Sequence, residues 1–494
     1  MPGHKLLCTT ASQRRTIAQW SSKINTSGGR IAPYFLIEGH IMLEIVILAA
    51  GKGTRMRSAK PKVLHTLAGK PFLAHVIDRA RDLHAESIAV VVGHGADAVE
   101  QAVADHGIVF IEQKEQLGTG HAVLQTLPSL QDDATVLILY GDVPLIRSET
   151  LANLAGLVSD EAMGLLTVTL ANPQGYGRIV RNALGEVKAI VEQKDASREQ
   201  QQIREVNTGV MAVKARLLKR WLPALENNNA QGEYYLTDII AMAAKECIAI
   251  ETAQPASESE VLGVNNRAQQ AQLERIYQQE IAEQLMTSGV TLMDPARFDC
   301  RGTLSAGEDC VIDVNCVFEG ENHLGNNVAI GPNCTLINVS LGDNTVVHAN
   351  SVLENAVVTG NSSIGPFARL RPGTRLAEGA RIGNFVETKN AAIGKGSKVN
   401  HLSYVGDADV GAEVNIGAGT ITCNYDGVNK HRTEIGDRVF VGSNSALVAP
   451  VNLASGTTIA AGSTVTRGST DDQLVVARAR QRNIDGWHRP EKKS

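Results

Sequence analysis

Aromatic residues are scarce: Phe, Trp and Tyr together make up 4% of the 494 residues, while hydrophobic residues as a whole reach 43%. The cores of this chain are therefore aliphatic. No apolar run approaches the ~18 residues that a membrane-spanning helix needs, so no membrane partner is expected. Charge of either sign is not in surplus, with 47 Lys and Arg against 52 Asp and Glu and a net charge of −5. That balance removes the electrostatic case for nucleic acid or an anionic membrane as the main partner. The seven cysteines include no C-x-x-C pair, and the six-residue step from Cys310 to Cys316 is not a usual zinc spacing. They read as reduced structural thiols in a reducing compartment. Neither G-x-x-x-x-G-K-[ST] nor G-x-G-x-x-G occurs at the glycine loop described below, which excludes a Walker loop and a Rossmann fingerprint there.

Residues 1–41 stand apart from the rest. They contain Ser, Thr and Arg, and Glu38 is their only acid. They lack a signal-type apolar core and a clear amphipathic helix. The expectation is an atypical extension before a true start at Met42, with a transit-type peptide as the alternative.

A chain this long calls for two or more domains. From Met42 to about Val264, β-rich runs (43–48, 88–92, 109–111, 136–140, 164–170) alternate with segments able to form helices. That alternation predicts an α/β domain over 42–264 with a mostly parallel, Rossmann-like sheet, whose ligands bind beyond the carboxyl ends of the strands. Residues 265–286 lack Gly and Pro, and Ala268, Ala271, Leu273, Ile276, Ile281 and Leu285 recur near helical spacing. They predict a connecting helix within a linker over 265–288.

The next segment is a repeat. Ile312, Phe318, Leu324, Ile330 and Leu336 fall six residues apart, and so do Leu341, Val347 and Leu353. Val358, Ile364, Leu370, Leu376 and Ile382 follow, then Ile393, Val399 and Val405, then Ile435, Val441, Leu447, Leu453, Ile459 and Val465. A period of six is that of a parallel β-helix, with three hexads to a triangular coil and the aliphatic pointing inward. Each such side chain contributes about 1.5–3 kcal/mol on burial. A narrow prism has no room for rings, in keeping with the aromatic content. The recurring glycines are expected at tight corners, where positive φ is needed. Residues 289–470 are assigned to this prism and 471–494 to a polar tail. The break "GAGTITCNYDGVNKHRTE" (417–434) reads as a loop leaving the prism, a place where solenoids carry function.

Three stretches in the first domain carry chemistry. "VILAAGKGTRM" (46–56) ends a strand in small residues, exposing backbone N–H groups beside Lys52 and Arg55, a cradle for phosphate. Alone, such a loop is equally a tight turn. "EQLGTGHA" (115–122) is a glycine turn entering a helix, suited to hydrogen-bonding a flat base or a sugar. "LYGDVPL" (139–145) places Asp142 just after a buried strand, where a carboxylate holds a divalent metal or simply makes a turn. In the repeat, the departures from pattern are Arg371 in "ARLRPG", Glu387 and Lys389 in "GNFVETKN", His401 and Tyr404 in "VNHLSYVGD", and Asn424, Tyr425 and Lys430 in "CNYDGVNK". Singly, each has a plain explanation as a solvated or structural residue. Together they form a cationic pocket for a sugar phosphate, with one group, His401, suited to general base work near neutral pH.

"LAAGKGTRM", "PKVLH", "LGTGHA", "YGDVPL", "GYGRI", "VEQKD", "EVNTGV" and "LGVNNR" resemble the sugar-phosphate nucleotidyltransferases. With the hexapeptide β-helix, the chain from about 42 to 490 is similar to the bacterial bifunctional N-acetylglucosamine-1-phosphate uridylyltransferase / glucosamine-1-phosphate acetyltransferases. The resemblance implies a left-handed β-helix and two activities on UTP and acetyl-CoA. For the first, Leu48, Ala49, Ala50 and Gly51 would form the nucleotide loop, with Gly51, Arg55 and Lys62 at the phosphates of UTP. Gln113, Gly118 and Thr119 would read uracil, and Tyr140, Gly141, Gly177, Glu192 and Asn207 would line N-acetylglucosamine. Asp142 and Asn265 would hold Mg2+. Leu262 is a departure, since an acidic residue is common there.

For the second activity, the resemblance makes His401 the base and has Asn424 polarise the tetrahedral centre. Arg371, Lys389, Tyr404, Asn415 and Lys430 would bind glucosamine-1-phosphate, and Ala418, Asn424, Tyr425, Ser443, Ala461 and Arg478 would contact coenzyme A. It also implies a cytoplasmic homotrimer.

Overall fold

The computed structural model describes residues 42–104, 107–490 and 492; the expectations for residues 1–41 lie outside them. The chain divides into two compact units between Leu273 and Glu274, inside the helix Arg267–Thr287.

The first unit is built on a twisted sheet. In spatial order its main strands are Ala249–Ala253, Ala162–Thr169, Glu205–Lys214, Thr135–Tyr140, Leu43–Leu48, Ser87–Val92 and Ile108–Glu112. All neighbours run parallel except around Glu205–Lys214, which is antiparallel to both its partners. Every residue of Leu43–Leu48 is buried, as expected for a strand covered on both faces. Its side chains alternate between two cores: Ile45 and Ile47 join Leu137 and Val90 on one face, while Val46 and Leu48 join Ile138 and Val91 on the other. The chain passes from the first strand to its neighbour on one side (Ser87–Val92), then returns to the other side (Thr135–Tyr140). The carboxyl ends of Leu43–Leu48 and Thr135–Tyr140 thus lie side by side where the strand order reverses, the place where open α/β sheets bind ligands.

The alternating pattern located five of these strands within a residue or two. It missed Glu205–Lys214, Ala249–Ala253 and the hairpin Arg178–Arg181 with Val187–Val191. Their sequences mix charged and small residues with the apolar ones, so no clean run marks them.

The second unit is a parallel β-helix. Each strand pairs with the one about a coil later: Phe298 faces Cys316 eighteen residues on, and Thr335 faces Val352 seventeen residues on. Every aliphatic of the six-residue repeat is buried in one continuous core, and so are the rings of Phe298 and Phe318, which pack 5.7 Å apart, so the expectation that the prism has no room for rings needs correction. Two interruptions of the repeat are only apparent, because Thr388 and Thr422 occupy inward positions and are buried. Thr422 Oγ1 accepts from Gly406 N at 2.8 Å and donates to Gly406 O at 3.0 Å, so its hydroxyl is satisfied inside the prism. The excursion is consequently shorter than expected: the coil runs through Ile421–Cys423 and resumes at Thr433–Ile435. The last rung is Leu474–Val475, paired with Thr458–Ile459.

The role expected of the repeated glycines needs correction. Many corners are held by asparagine in the left-handed region, such as Asn315, Asn333 and Asn350 at φ 60°, 59° and 61°. Their amides stack from coil to coil: Asn315 Nδ2 donates to Asn333 Oδ1 at 2.8 Å, and Asn333 Nδ2 to Asn350 Oδ1 at 3.2 Å. Asparagine tolerates this conformation better than most residues. Several glycines that follow the aliphatic serve close packing instead. A Cβ on Gly342 would stand 1.7 Å from Thr359 O, and one on Gly383 would stand 1.9 Å from Asn400 O, on the next coil.

Cys300, Cys310, Cys316, Cys334 and Cys423 are free thiols. Burial pushes Cys300 up to about 11 and Cys316 up to about 12, which suits structural rather than reactive roles. Among the described residues no helix is long and apolar enough to cross a membrane.

Candidate active sites

The first site forms where the two strand ends meet. Ala49 N donates to Val91 O at 2.9 Å and Gly141 N to Leu48 O at 3.0 Å, which fixes both loops to the sheet edge. Leu48, Ala49 and Ala50 are buried and Gly51 is exposed, and a Cβ added at Gly51 would meet nothing within 4 Å among the described residues. Gly53 is at φ 58°, and a Cβ there would lie 2.6 Å from Lys62 Cβ, so only glycine lets the loop fold against Lys62. Lys62 Nζ pairs with Asp142 Oδ2 and lies 3.3 Å from Asn265 Oδ1. Arg55 Nη2 donates to the same Asn265 oxygen at 2.8 Å. Val264 N donates to Asp142 O at 3.0 Å, tying the segment bearing Asn265 to the strand end. Four residues from distant parts of the sequence thus converge, with two cations against one carboxylate. Such a cluster is suited to receive an anion.

Beside it lies a polar wall. Gln113 is buried, and its Nε2 donates to Gly118 O at 3.0 Å and meets His121 Nδ1 at 3.0 Å. With its amide nitrogen engaged, its oxygen remains as an acceptor. Thr119 Oγ1 accepts from Leu236 N at 3.1 Å. Further along, Asn207 N donates to Gly177 O at 2.9 Å, and Asn207 Oδ1 accepts from Gly209 N at 3.0 Å. Burial, reinforced by Glu192 and Asp142, pushes the Tyr140 phenol above its ordinary range. Burial likewise raises the Glu192 carboxyl, against the hydroxyl of Thr237 at 3.4 Å. Sequence reasoning missed Arg178, whose fully buried guanidinium reaches Tyr176 O and donates to Gln193 Oε1 at 2.6 Å, bracing the turn that carries Gly177 and Glu192.

The second site spans two faces of the prism around the corner at Leu402. On one face, Arg371 Nη1 donates to Glu387 Oε1 at 2.7 Å, and Glu387 faces Tyr404 on the next rung. The Lys430 ammonium, with Arg371 adding, pulls Lys389 below the ordinary lysine range, so cations crowd here. Asp407, which sequence reasoning missed, answers them. Burial works to raise its carboxyl, but the amides of Asn390 and Asn424, with Lys430 and Lys389, outweigh that and hold it below the usual range. Asn390 Nδ2 donates to Asp407 Oδ1 at 2.6 Å, and Asn424 Nδ2 donates to Asp407 Oδ2. Tyr404 Oη stands 3.5 Å from Asn424 Nδ2. The seventeen-residue steps from 390 to 407 to 424 were visible in the sequence once the coil length is applied.

On the other face, His401 ends the strand Lys398–His401. Backbone bonds run up the face from its row: Gly419 N to His401 O at 3.4 Å, Asn444 N to Ala418 O at 2.8 Å, and Gly462 N to Ser443 O at 2.8 Å. Arg478 Nη1 donates to Ala461 O at 2.6 Å. His401, Ala418, Ser443 and Ala461 therefore form a stripe of small side chains rising from the imidazole. Asn415 is not brought to the cationic cluster within one chain; it sits opposite Lys398 and Phe440 on the face that carries His401. Tyr425 is exposed on the excursion, which closes on itself: His431 N donates to Asn424 O at 2.8 Å, and Asp426 accepts from His431 Nε2 at 2.7 Å.

Residues 45–207 match the family described as the MobA-like NTP transferase domain. Residues 322–355 and 432–467 match the hexapeptide repeat of succinyl-transferase. The chain is 67% identical over 452 residues to the Bifunctional protein GlmU of Saccharophagus degradans, covering 92% of this chain and 100% of that relative. It is 63% identical over 453 residues to the protein of the same name from Cellvibrio japonicus, covering 92% and 100%. The corresponding relative from Marinobacter nauticus is 61% identical over 450 residues, covering 91% and 99%. The chain belongs to the bifunctional GlmU family. Both units fall within that membership, so the GlmU family accounts for a nucleotide-transferase sheet and a hexapeptide prism in one chain.

Proposed function

We propose that the chain makes UDP-N-acetylglucosamine in two steps. The prism moves the acetyl group of acetyl-CoA to glucosamine-1-phosphate, and the first unit then joins the product to UTP, releasing pyrophosphate. The order follows from the expected sugar pocket of Tyr140, Gly177, Glu192 and Asn207, which takes the acetylated sugar. One observation favours two activities over a nucleotidyltransferase with a merely structural prism: His401 opens the small-residue stripe of Ala418, Ser443 and Ala461, and the cations Arg371, Lys389 and Lys430 crowd on the face round the corner from it. A pantetheine arm suits the stripe and a sugar phosphate suits the cations.

In the first site, Arg55 and Lys62 hold phosphate oxygens of UTP while a sugar-phosphate oxygen attacks the α-phosphorus in line. Asp142 and Asn265 would hold Mg2+, and their fit rests on chemistry: two oxygen donors already converge on one cation, Lys62 Nζ. When bound, the ion neutralises phosphate charge. Gln113, with its oxygen free to accept, reads the N3–H of uracil. In the second site, Arg371, Lys389 and Lys430 anchor the sugar phosphate and His401 takes the amine proton. Asn424 is oriented by Asp407. Phe367, Phe385 and Leu402 are exposed at left-handed φ of 55°, 55° and 47° on successive corners beside His401, and the two rings stack at 5.3 Å. This exposed apolar row supports the expected homotrimer, and substrates such as UTP and acetyl-CoA support the expected cytoplasmic location.

The test is free-thiol release from acetyl-CoA with glucosamine-1-phosphate, without UTP, beside pyrophosphate release from UTP with N-acetylglucosamine-1-phosphate and Mg2+. Both are expected. Pyrophosphate without thiol would leave the prism as a scaffold. Asp407→Ala is expected to slow thiol release about tenfold to a hundredfold, since a hydrogen bond to a charged group is worth about 1.5–3 kcal/mol. Pyrophosphate release should stay unchanged. Wild-type thiol release in this variant would mean that Asn424 holds its orientation without the carboxylate.

A further inference from the structure

We infer that Asn384 is a positioning residue for acetyl transfer: it fixes His401 in the tautomer whose Nε2 is free to accept a proton. The inference rests on the reading of His401 as the base. His401 Nδ1 lies 2.9 Å from Asn384 Oδ1. An amide oxygen has no proton to give, so this bond forms only with the proton on Nδ1. A neutral imidazole carries one N–H, and its lone pair is then on Nε2.

The backbone sets this pairing. Asn384 ends the strand Arg381–Asn384 and His401 ends Lys398–His401; the strands are parallel neighbours, with Asn384 opposite His401. Leu402 N donates to Asn384 O at 3.1 Å, locking the register at that rung. Neighbouring strands lie about 4.8 Å apart, a gap that an asparagine and a histidine side chain bridge with one hydrogen bond. The next side chain in the row, Ala418, has no hydrogen-bonding group to compete for the ring. The charged or titratable side chains on the elements around His401 are Lys398 on its own strand, Arg381 on the strand that carries Asn384, and Glu387 and Tyr404 past the corner.

An amide orients the ring without adding charge. A carboxylate in its place would favour the imidazolium and hold its proton back. The transfer needs that proton to move twice. As the amine nitrogen bonds the acetyl carbon, its proton passes to His401 Nε2. The C–S bond then breaks, and the proton leaves with the sulfur as free thiol. Through both steps the Nδ1–H bond to Asn384 persists, and it strengthens while the ring is charged.

The experiment compares wild type, Asn384→Ala and Asn384→Asp as full chains, following thiol release against pH, with pyrophosphate release as the control. Asn384→Ala is expected to lower kcat about tenfold to a hundredfold, as a misaligned catalytic group does, with KM for glucosamine-1-phosphate little changed. Asn384→Asp keeps the acceptor, so it recovers most of kcat at high pH. Its acid limb moves up by about one pH unit, as a neighbouring carboxylate dictates. A purely structural role would not move that limb. If Asn384→Ala does not fold, the Asn384→Asp profile decides alone, and an unshifted acid limb overturns the inference. Variants that match wild type in kcat and profile overturn it too, while leaving acetyl transfer standing. A wild type that releases pyrophosphate but no thiol removes the acetyl-transfer reading, and this inference with it.

Discussion

Asp142→Ala is expected to reduce pyrophosphate release to about a hundredth to a thousandth of wild type, the scale of losing a preorganised electrostatic contact at a reacting phosphate. Thiol release from acetyl-CoA should be nearly unchanged. The first outcome follows from the cluster at the strand ends. Among the described residues, Asp142 is the carboxylate that pairs with Lys62 beside Arg55, and the Lys62–Asp142 pair is largely shielded, with side chains 16% and 14% exposed. Its loss frees the Lys62 ammonium from its partner and removes one of two oxygens proposed to hold Mg2+. Both changes act on phosphate placement, and two anions must be brought together for the reaction. The second outcome follows from the division of the chain: Asp142 and His401 belong to different compact units, and substitutions without shared partners act independently. Asp142→Asn, which keeps the shape and removes the charge, separates chemistry from folding. If Asp142→Ala lowered both rates equally while Asp142→Asn lowered neither, Asp142 would be a residue of the fold.

The sequence was most legible where one physical cause acts at one period. Ile312 through Val465 recur every six residues because each is the inward side chain of one prism face, and all are buried. Legibility failed where a different side chain met the same demand. Thr388 and Thr422 satisfy their hydroxyls inside the core and so stand where an aliphatic was sought. Positive-φ corners are met by Asn as well as Gly, and that substitution is invisible to a search for glycine. In the first unit, runs buried on both faces were plain, but Glu205–Lys214 was hidden by the residues that make it useful: Asn207 turns its amide to Gly209 N rather than into a core. The site residues taken from motifs were found as types. Their partners were not, because Asn384, Asp407 and Arg178 act on neighbours a coil or a hairpin away. A coil spacing of seventeen, applied to His401 and Asn424, points back to Asn384 and Asp407; no comparable spacing points to Arg178.

The second large effect is on His401. His401→Ala is expected to slow thiol release by about 10²–10⁴-fold, the usual contribution of a general base, with pyrophosphate release intact. The cationic residues that hold the sugar phosphate lie round the corner on another face, so KM for glucosamine-1-phosphate should change far less than kcat. The pH dependence discriminates further. In wild type the rate should fall toward acid, because a general base must be unprotonated to take the proton of the amine. In the variant that group is gone, and the remaining rate should depend on how much free amine the substrate itself presents, rising with pH without the imidazole limb. A small external base such as imidazole should restore part of the lost rate, because the row above His401 consists of Ala418, Ser443 and Ala461, and removal of the ring opens space beside side chains too small to fill it. A loss under about threefold would assign His401 no proton transfer, since even a modest general base contributes about a hundredfold. The stripe would then serve only to seat the acyl donor, and the amine would have to lose its proton to solvent.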